Sequence, residues 1–285
     1  MEGIYPLFGV MQGRLLPKYK GRYQAHPVGY WMDEFAVAKA FGLSSIEFIL
    51  DYDDVNLNPL LSSEGIEEIK AAVKSTGVKV NTICADYFME APLHHSEEAV
   101  RLKSQDILKK LIANSSQLDI TDIVIPCVDQ SSLKSDNDIQ IFIESINAVS
   151  PIAEAANVNI CLETDLAPKP FVSLLDQLPS RNITVNYDTG NSAALGFDCI
   201  EEFSCYGERI SDIHIKDRKF GGGSVQIGTG DTNFDDFFEA LKSIIYNKPF
   251  ILQVYRDEEG VEIFKKQLVW FKTKIENYYD SNYTS

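Results

Sequence analysis

The chain has 285 residues, 45% hydrophobic and 24% charged, enough to bury one sizeable core, and α/β barrels of this length commonly form a single domain. A formal charge of −16 argues against a nucleic-acid partner, which normally demands a basic face. No apolar run reaches the roughly 18–20 residues of a bilayer-spanning helix, so no membrane partner is expected.

The start, MEGIYPLFGVMQGR, lacks a basic segment followed by an apolar one, so no signal peptide is read there. Cys84, Cys127, Cys161, Cys199 and Cys205 form no CxxC pair. They read as small buried apolar groups in a reducing cytoplasm, the expected location.

Strand signals alternate with helical ones along the whole chain. Strands are predicted at 5–11 (YPLFGVM), 45–50, 78–84, 121–127, 158–163, 183–188, 211–216 and 250–254. Helices are predicted at 30–42, 63–76, 95–118, 136–156, 169–178, 191–206, 233–246 and 258–279. Several strands are rich in Ile and Val, as strands covered on both faces are. Gly42 and Gly77 each end a helical run. A doubly wound open sheet would need a glycine-rich nucleotide loop after an early strand, and none is present. Eight strand–helix units predict a single-domain (β/α)8 barrel over 1–279, followed by a frayed polar tail at 280–285. Longer loops follow predicted strand ends at 12–29, 85–95 and 217–232, where barrel enzymes place their sites.

Four successive strands end in groups that bind metals: Glu163 (NICLETD), Asp188 (ITVNYD), His214 (SDIHIK) and Gln253 (FILQV). Their intervals of 25, 26 and 39 residues are each about one strand–helix unit. Two carboxylates, an imidazole and an amide oxygen suit one divalent ion, Mn, Mg, Co or Zn, and no thiolates stand at ligand spacing. Strand alternation lets Asn186 share a face with Asp188, and Lys216 with His214.

These segments resemble the sugar isomerase/epimerase superfamily of xylose-isomerase-like TIM barrels. The resemblance covers essentially the whole chain and is strongest in CLETD, NYDTGN, DIHIKDR and the GTGDTNF turn. It implies a metal held by a Glu, an Asp, a His and a second Glu, after strands 5, 6 and 7 and on strand 8. The first three map to Glu163, Asp188 and His214, and Gln253 stands at the fourth position. It also implies a sugar or sugar-phosphate substrate, an enediolate intermediate and a homo-oligomer.

Gln253 departs from the pattern, because a carboxamide can ligate a metal but cannot act as a general base. Glu163 is then the one matched base. A one-base shuttle on a single face, as in aldose–ketose isomerisation, fits better than two-base epimerisation, and Glu47 and Asp165 are the candidates for a second base. Dehydration on the same scaffold, or a sugar-binding barrel weakened by Gln253, are the alternatives.

Gln12, Arg14, Lys216 and Arg218 are candidate substrate contacts at the barrel mouth, with Arg256 a weaker one. Glu47, His94 and Asn191 (in NYDTGN) join them. GGGSVQIGTGD lacks the phosphate-loop pattern and is expected to cover the substrate, with backbone phosphate binding as the alternative. Tyr87, Phe88, Trp31 and Phe220 are candidate pocket walls. Four histidines in the chain are too few for a multi-zinc endonuclease site.

Overall fold

Eight parallel strands close into a barrel in the computed structural model, which describes residues 6–257 and 260–283. In chain order the barrel strands are β1 (Phe8–Met11), β2 (Ser45–Ile49), β3 (Thr82–Cys84), β4 (Asp122–Cys127), β5 (Asn159–Thr164), β6 (Ile183–Asp188), β7 (Ile210–Ile215) and, after a two-stranded hairpin of β8 (Asp217–Arg218) and β9 (Ser224–Val225), β10 (Phe250–Leu252). β1 pairs with β10 and so closes the ring. Each predicted strand is present, several of them shorter than expected.

The helices are α1 (Asp33–Ala40), α2 (Ser63–Thr76), a single-turn α3 (Tyr87–Glu90), α4 (Glu98–Ser115), α5 (Asp136–Ala156), α6 (Pro168–Leu175), α7 (Thr189–Leu195), α8 (Cys199–Tyr206), α9 (Phe234–Leu241) and α10 (Glu262–Tyr283). Local chemistry sets their ends. The Ser62 and Ser135 hydroxyls accept the first free N–H groups of α2 and α5, and Gly77 ends α2 in the left-handed region. The helix predicted at 191–206 is two, because Gly196 turns the chain at φ +73°. α10 runs past the expected end at 279 into the segment read as a tail. Residues 258–259, part of the predicted last helix, lie outside the described residues, as do 5 and 284–285.

Inside the barrel, Met11, Ile49, Cys84, Val124, Cys161 and Ile251 form an apolar cluster separate from the main core. The larger core packs the helices onto the strands and holds most of the buried aromatics. Cys84, Cys127 and Cys161 are buried free thiols, and burial pushes each up. Among the described residues no helix is long and apolar enough to cross a membrane.

Candidate active site

Strand register assembles the deep end of the site. β6 and β7 pair so that Asp188 stands beside His214 and Asn186 beside Asp212, with an irregularity between Val185 and Asn186 that resets the pairing. Asp188 is also the N-cap of α7. Its Oδ1 accepts from Gly190 N at 2.9 Å and Asn191 N at 2.8 Å, which fixes the carboxylate and turns Oδ2 toward the barrel axis. Oδ2 then lies 3.9 Å from His214 Nδ1 and 3.3 Å from Lys216 Nζ. The close approach of Lys216 needs Gly190, since a Cβ there would stand 2.8 Å from Lys216 Cγ.

His214 is fully buried and its two ring nitrogens have different surroundings. Nε2 lies 2.8 Å from Glu47 Oε1 and 3.1 Å from Asp212 Oδ2, whereas Nδ1 has no hydrogen-bond partner. Carboxylates on Nε2 keep its proton in place and turn Nδ1 toward Asp188 and Glu163, as in metal-ligating imidazoles. Burial pushes the ring's pKa down, but Glu47 and Asp212 outweigh it and hold it well above the usual value. A cation at Nδ1 would replace a proton there.

Glu163, Asp188 and His214 each offer a ligand atom within 4.8 Å of the others. Two carboxylate oxygens and an orphaned buried nitrogen fit a divalent ion, so the residues present match the group that the resemblance implies. Glu47, Asp212 and His214 form a second such cluster through the other ring nitrogen.

Glu163 Oε1 accepts from Asn191 Nδ2 at 2.6 Å. Burial, and then the neighbouring Asp188, push the Glu163 carboxyl up to about 7. Asn191 is oriented from its other end, where Oδ1 accepts from Lys216 Nζ at 3.2 Å and Arg218 Nη1 at 2.8 Å.

Gln253 belongs to a polar chain with one sense. Lys216 can only donate, so Gln253 Oε1 accepts from it at 3.1 Å and Nε2 donates to Gln24 Oε1 at 2.8 Å. Gln24 Oε1 also accepts from Arg14 at 2.9 Å, and its Nε2 donates to Asp86 Oδ2 at 3.2 Å. The amide at 253 is thus matched to its neighbours.

A cavity of about 680 Å³ opens above these groups. Glu163, Asn191, Lys216, Arg218 and Gln253 line its floor, and Asp188 and His214 are buried behind it. The predicted quartet, with Lys216, Arg218 and Asn191, is therefore in one place.

Other candidates are elsewhere. Gln12 is buried, and its Oε1 accepts from Ile49 N and faces His26 Nδ1. Arg14 is half-buried behind Gln24, and desolvation lowers its pKa to about 10. Arg256 stacks on Tyr23 and donates to Arg14 O. His94 packs against Phe142, away from the cavity. Glu47 supports His214 from behind. Asp165 accepts from Ser132, so neither candidate second base reaches the cavity. Tyr87, Phe88 and Trp31 are core residues, and Phe220 is 70% exposed beside Gly196. Sequence reasoning missed Asp212, whose position two residues before His214 on one strand was the available signal, and Gln24, for which there was none.

The glycine-rich stretch has a defined backbone path. It forms the β8–β9 hairpin and a turn closed on Asp217, whose Oδ2 accepts from Gly228 N and Gly230 N, both at 2.8 Å, and Oδ1 from Thr232 N at 3.1 Å. Gly230 is required, because a Cβ would lie 2.0 Å from Asp217 Oδ1.

The closed parallel barrel places the chain in a class that its sequence also gives: residues 35–274 match the family model described as xylose isomerase-like TIM barrel, and the chain belongs to that family. Among its curated relatives is a protein of Haemophilus influenzae named putative L-ribulose-5-phosphate 3-epimerase SgbU, 27% identical over 80% of this chain and 85% of that one. Another is L-ribulose-5-phosphate 3-epimerase UlaE of Escherichia coli K12, 25% identical over 88% of this chain and 93% of that one. A solved D-psicose 3-epimerase of Clostridium cellulolyticum H10 with D-tagatose shares the fold at a TM-score of 0.72 and 17% identity, covering 95% of this chain and 98% of that one. A D-tagatose 3-epimerase-like protein superposes at a TM-score of 0.75 with 17% identity, covering 96% and 99%.

Proposed function

We propose that the chain is a divalent-metal-dependent isomerase or epimerase of a sugar or sugar phosphate, acting by proton abstraction beside a carbonyl. The observation that carries this reading is the buried, unpartnered Nδ1 of His214, held by Glu47 on its far side and facing Asp188 and Glu163. Glu163, Asp188 and His214 would hold the ion, with the Gln253 oxygen as a fourth donor once released by Lys216. When bound, the ion supplies a Lewis-acidic site for the carbonyl and neighbouring hydroxyl oxygens.

The remaining work falls to side chains. Glu163 takes the proton from the carbon beside the carbonyl and returns it. Asn191 fixes its orientation. Lys216 and Arg218 bring positive charge to the floor, where negative charge develops on substrate oxygen. No second carboxylate stands opposite Glu163 at position 253, which supports a proton shuttle on one face and hence aldose–ketose isomerisation.

The test is solvent exchange. Metal-loaded protein incubated with ketoses in D2O should place deuterium beside the carbonyl, and Glu163→Gln should slow this by about a hundredfold or more. Undiminished exchange in Glu163→Gln would sink the assignment of the base.

A further inference from the structure

We propose that this site selects an uncharged, unphosphorylated sugar and disfavours sugar phosphates, although relatives of the chain are named for a 5-phosphate substrate. The inference rests on the isomerase or epimerase reading and narrows its substrate class.

Three observations carry it. The first is that the backbone donors after β7 are already spent. Successive N–H groups of a glycine-rich turn make an anion cradle, but here Gly228, Gly230 and Thr232 all donate to the carboxylate of Asp217. These amides are therefore not free to hold a phosphate.

The second is that the cavity's cations are engaged with the protein. Arg218 donates from Nε and Nη2 to Gly222 O and from Nη1 to Asn191. Lys216 is divided among Asp188, Asn191 and Gln253. Arg22 is paired with Asp51 at 3.0 Å. Freeing Arg218 or Arg22 for a phosphate would break these bonds, and Lys216, which the ion would release from Gln253, keeps its bond to Asn191.

The third is the charge of the wall. Six carboxylates line the cavity against three cations. One of the six, Glu163, is at the floor, where a divalent ion would offset it. Toward the mouth stand Asp53, Glu90 and Asp129, none with a cation at ion-pair distance among the described residues. A cleft lined mainly by one sign of charge focuses this potential and repels a dianion. The same carboxylates accept hydrogen bonds from sugar hydroxyls, which donate, whereas a phosphate dianion offers only acceptors. The repulsive element and the attractive one are therefore the same residues.

The experiment compares solvent deuterium exchange into D-fructose, D-tagatose and L-ribulose with exchange into L-ribulose 5-phosphate and ketohexose 6-phosphates, using metal-saturated protein at low and raised ionic strength. The expected result is exchange per unit concentration at least about tenfold faster for the best free sugar than for any phosphate. Added salt should raise the phosphate rate by screening the wall and leave the free-sugar rate flat. The double variant Glu90→Gln, Asp129→Asn should lower the preference for the free sugar over the phosphate. Faster exchange into a phosphate, falling with salt, would overturn this inference and leave the isomerase reading intact. Exchange into none of the sugars or phosphates would overturn both.

Discussion

Changing Gln253 to Glu tests whether the amide is a damaged ligand or a matched part of the site. The amide nitrogen donates to Gln24 Oε1, which also accepts from Arg14, while Gln24 Nε2 donates to Asp86. A carboxylate would set an acceptor against that acceptor. Gln24 could turn its own amide to relieve this only by breaking its bonds to Arg14 and Asp86. A buried group left unsatisfied costs about 1–3 kcal/mol, partly offset by a stronger, charge-assisted contact to Lys216. Metal-free Gln253→Glu should therefore be less stable than the parent by about 1–2 kcal/mol in urea unfolding at neutral pH, with an unchanged slope. Its metal affinity should move the other way, tightening about tenfold or more, because a third carboxylate joins the two of Glu163 and Asp188. Calorimetric titration with Mn or Co reads this directly. A metal-free variant as stable as the parent would refute the one-sense chain from Lys216 through Gln253 to Gln24.

Asn191→Ala removes the amide donor on Glu163 Oε1, which favours the charged carboxylate, so the Glu163 pKa should rise and the acidic limb of the exchange-rate profile should move to higher pH; an unmoved limb would show that Asn191 does not hold the base. Lys216→Met removes an ammonium 3.3 Å from Asp188 Oδ2, and it should tighten metal binding while lowering exchange turnover by about tenfold or more; weaker metal binding would contradict the competition. Glu34 is buried where its two oxygens accept from Gly13 N and Leu15 N, and burial pushes its carboxyl up to about 7 from 4.5. The folded state therefore binds the proton that the unfolded state has released between pH 4.5 and 7, and stability from this group falls as pH rises through that window. The stability difference between parent and Glu34→Gln should shrink by up to about 3 kcal/mol across it, and a flat difference would refute the shift.

The barrel was legible because each strand is a short apolar run with a helix behind it, and the ends of β5, β6 and β7 carry polar groups where an apolar core residue would otherwise follow. The three candidate ligands at strand ends, Glu163, Asp188 and His214, could be picked out for the same reason. Gln253 was legible as a departure, but not as a matched one, since its partner Gln24 is 229 residues away in the sequence and reaches it only through the closed barrel. Gln12 and Arg14 looked like mouth residues because they follow a strand; in the fold the first loop turns back, so that Gln12 braces His26 and β2 and Arg14 braces Gln24. His94 sits in a loop of the expected kind, yet its ring is against Phe142. The break between α7 and α8 rests on one glycine inside an otherwise helical pattern, and such a glycine does not reveal its φ to sequence reasoning. Asp217 reads as a charge after a strand, and its role in closing the glycine-rich turn appears only when three backbone amides converge on it.

Metal stoichiometry tests the central claim most directly. Purified protein loaded with Mn, Co or Zn and freed of excess ion should retain about one equivalent, as an ion held at the Glu163, Asp188 and His214 cluster alone requires. His214→Ala and Glu163→Ala should each lose it. No retained ion in the parent, or full retention in His214→Ala, would contradict the account.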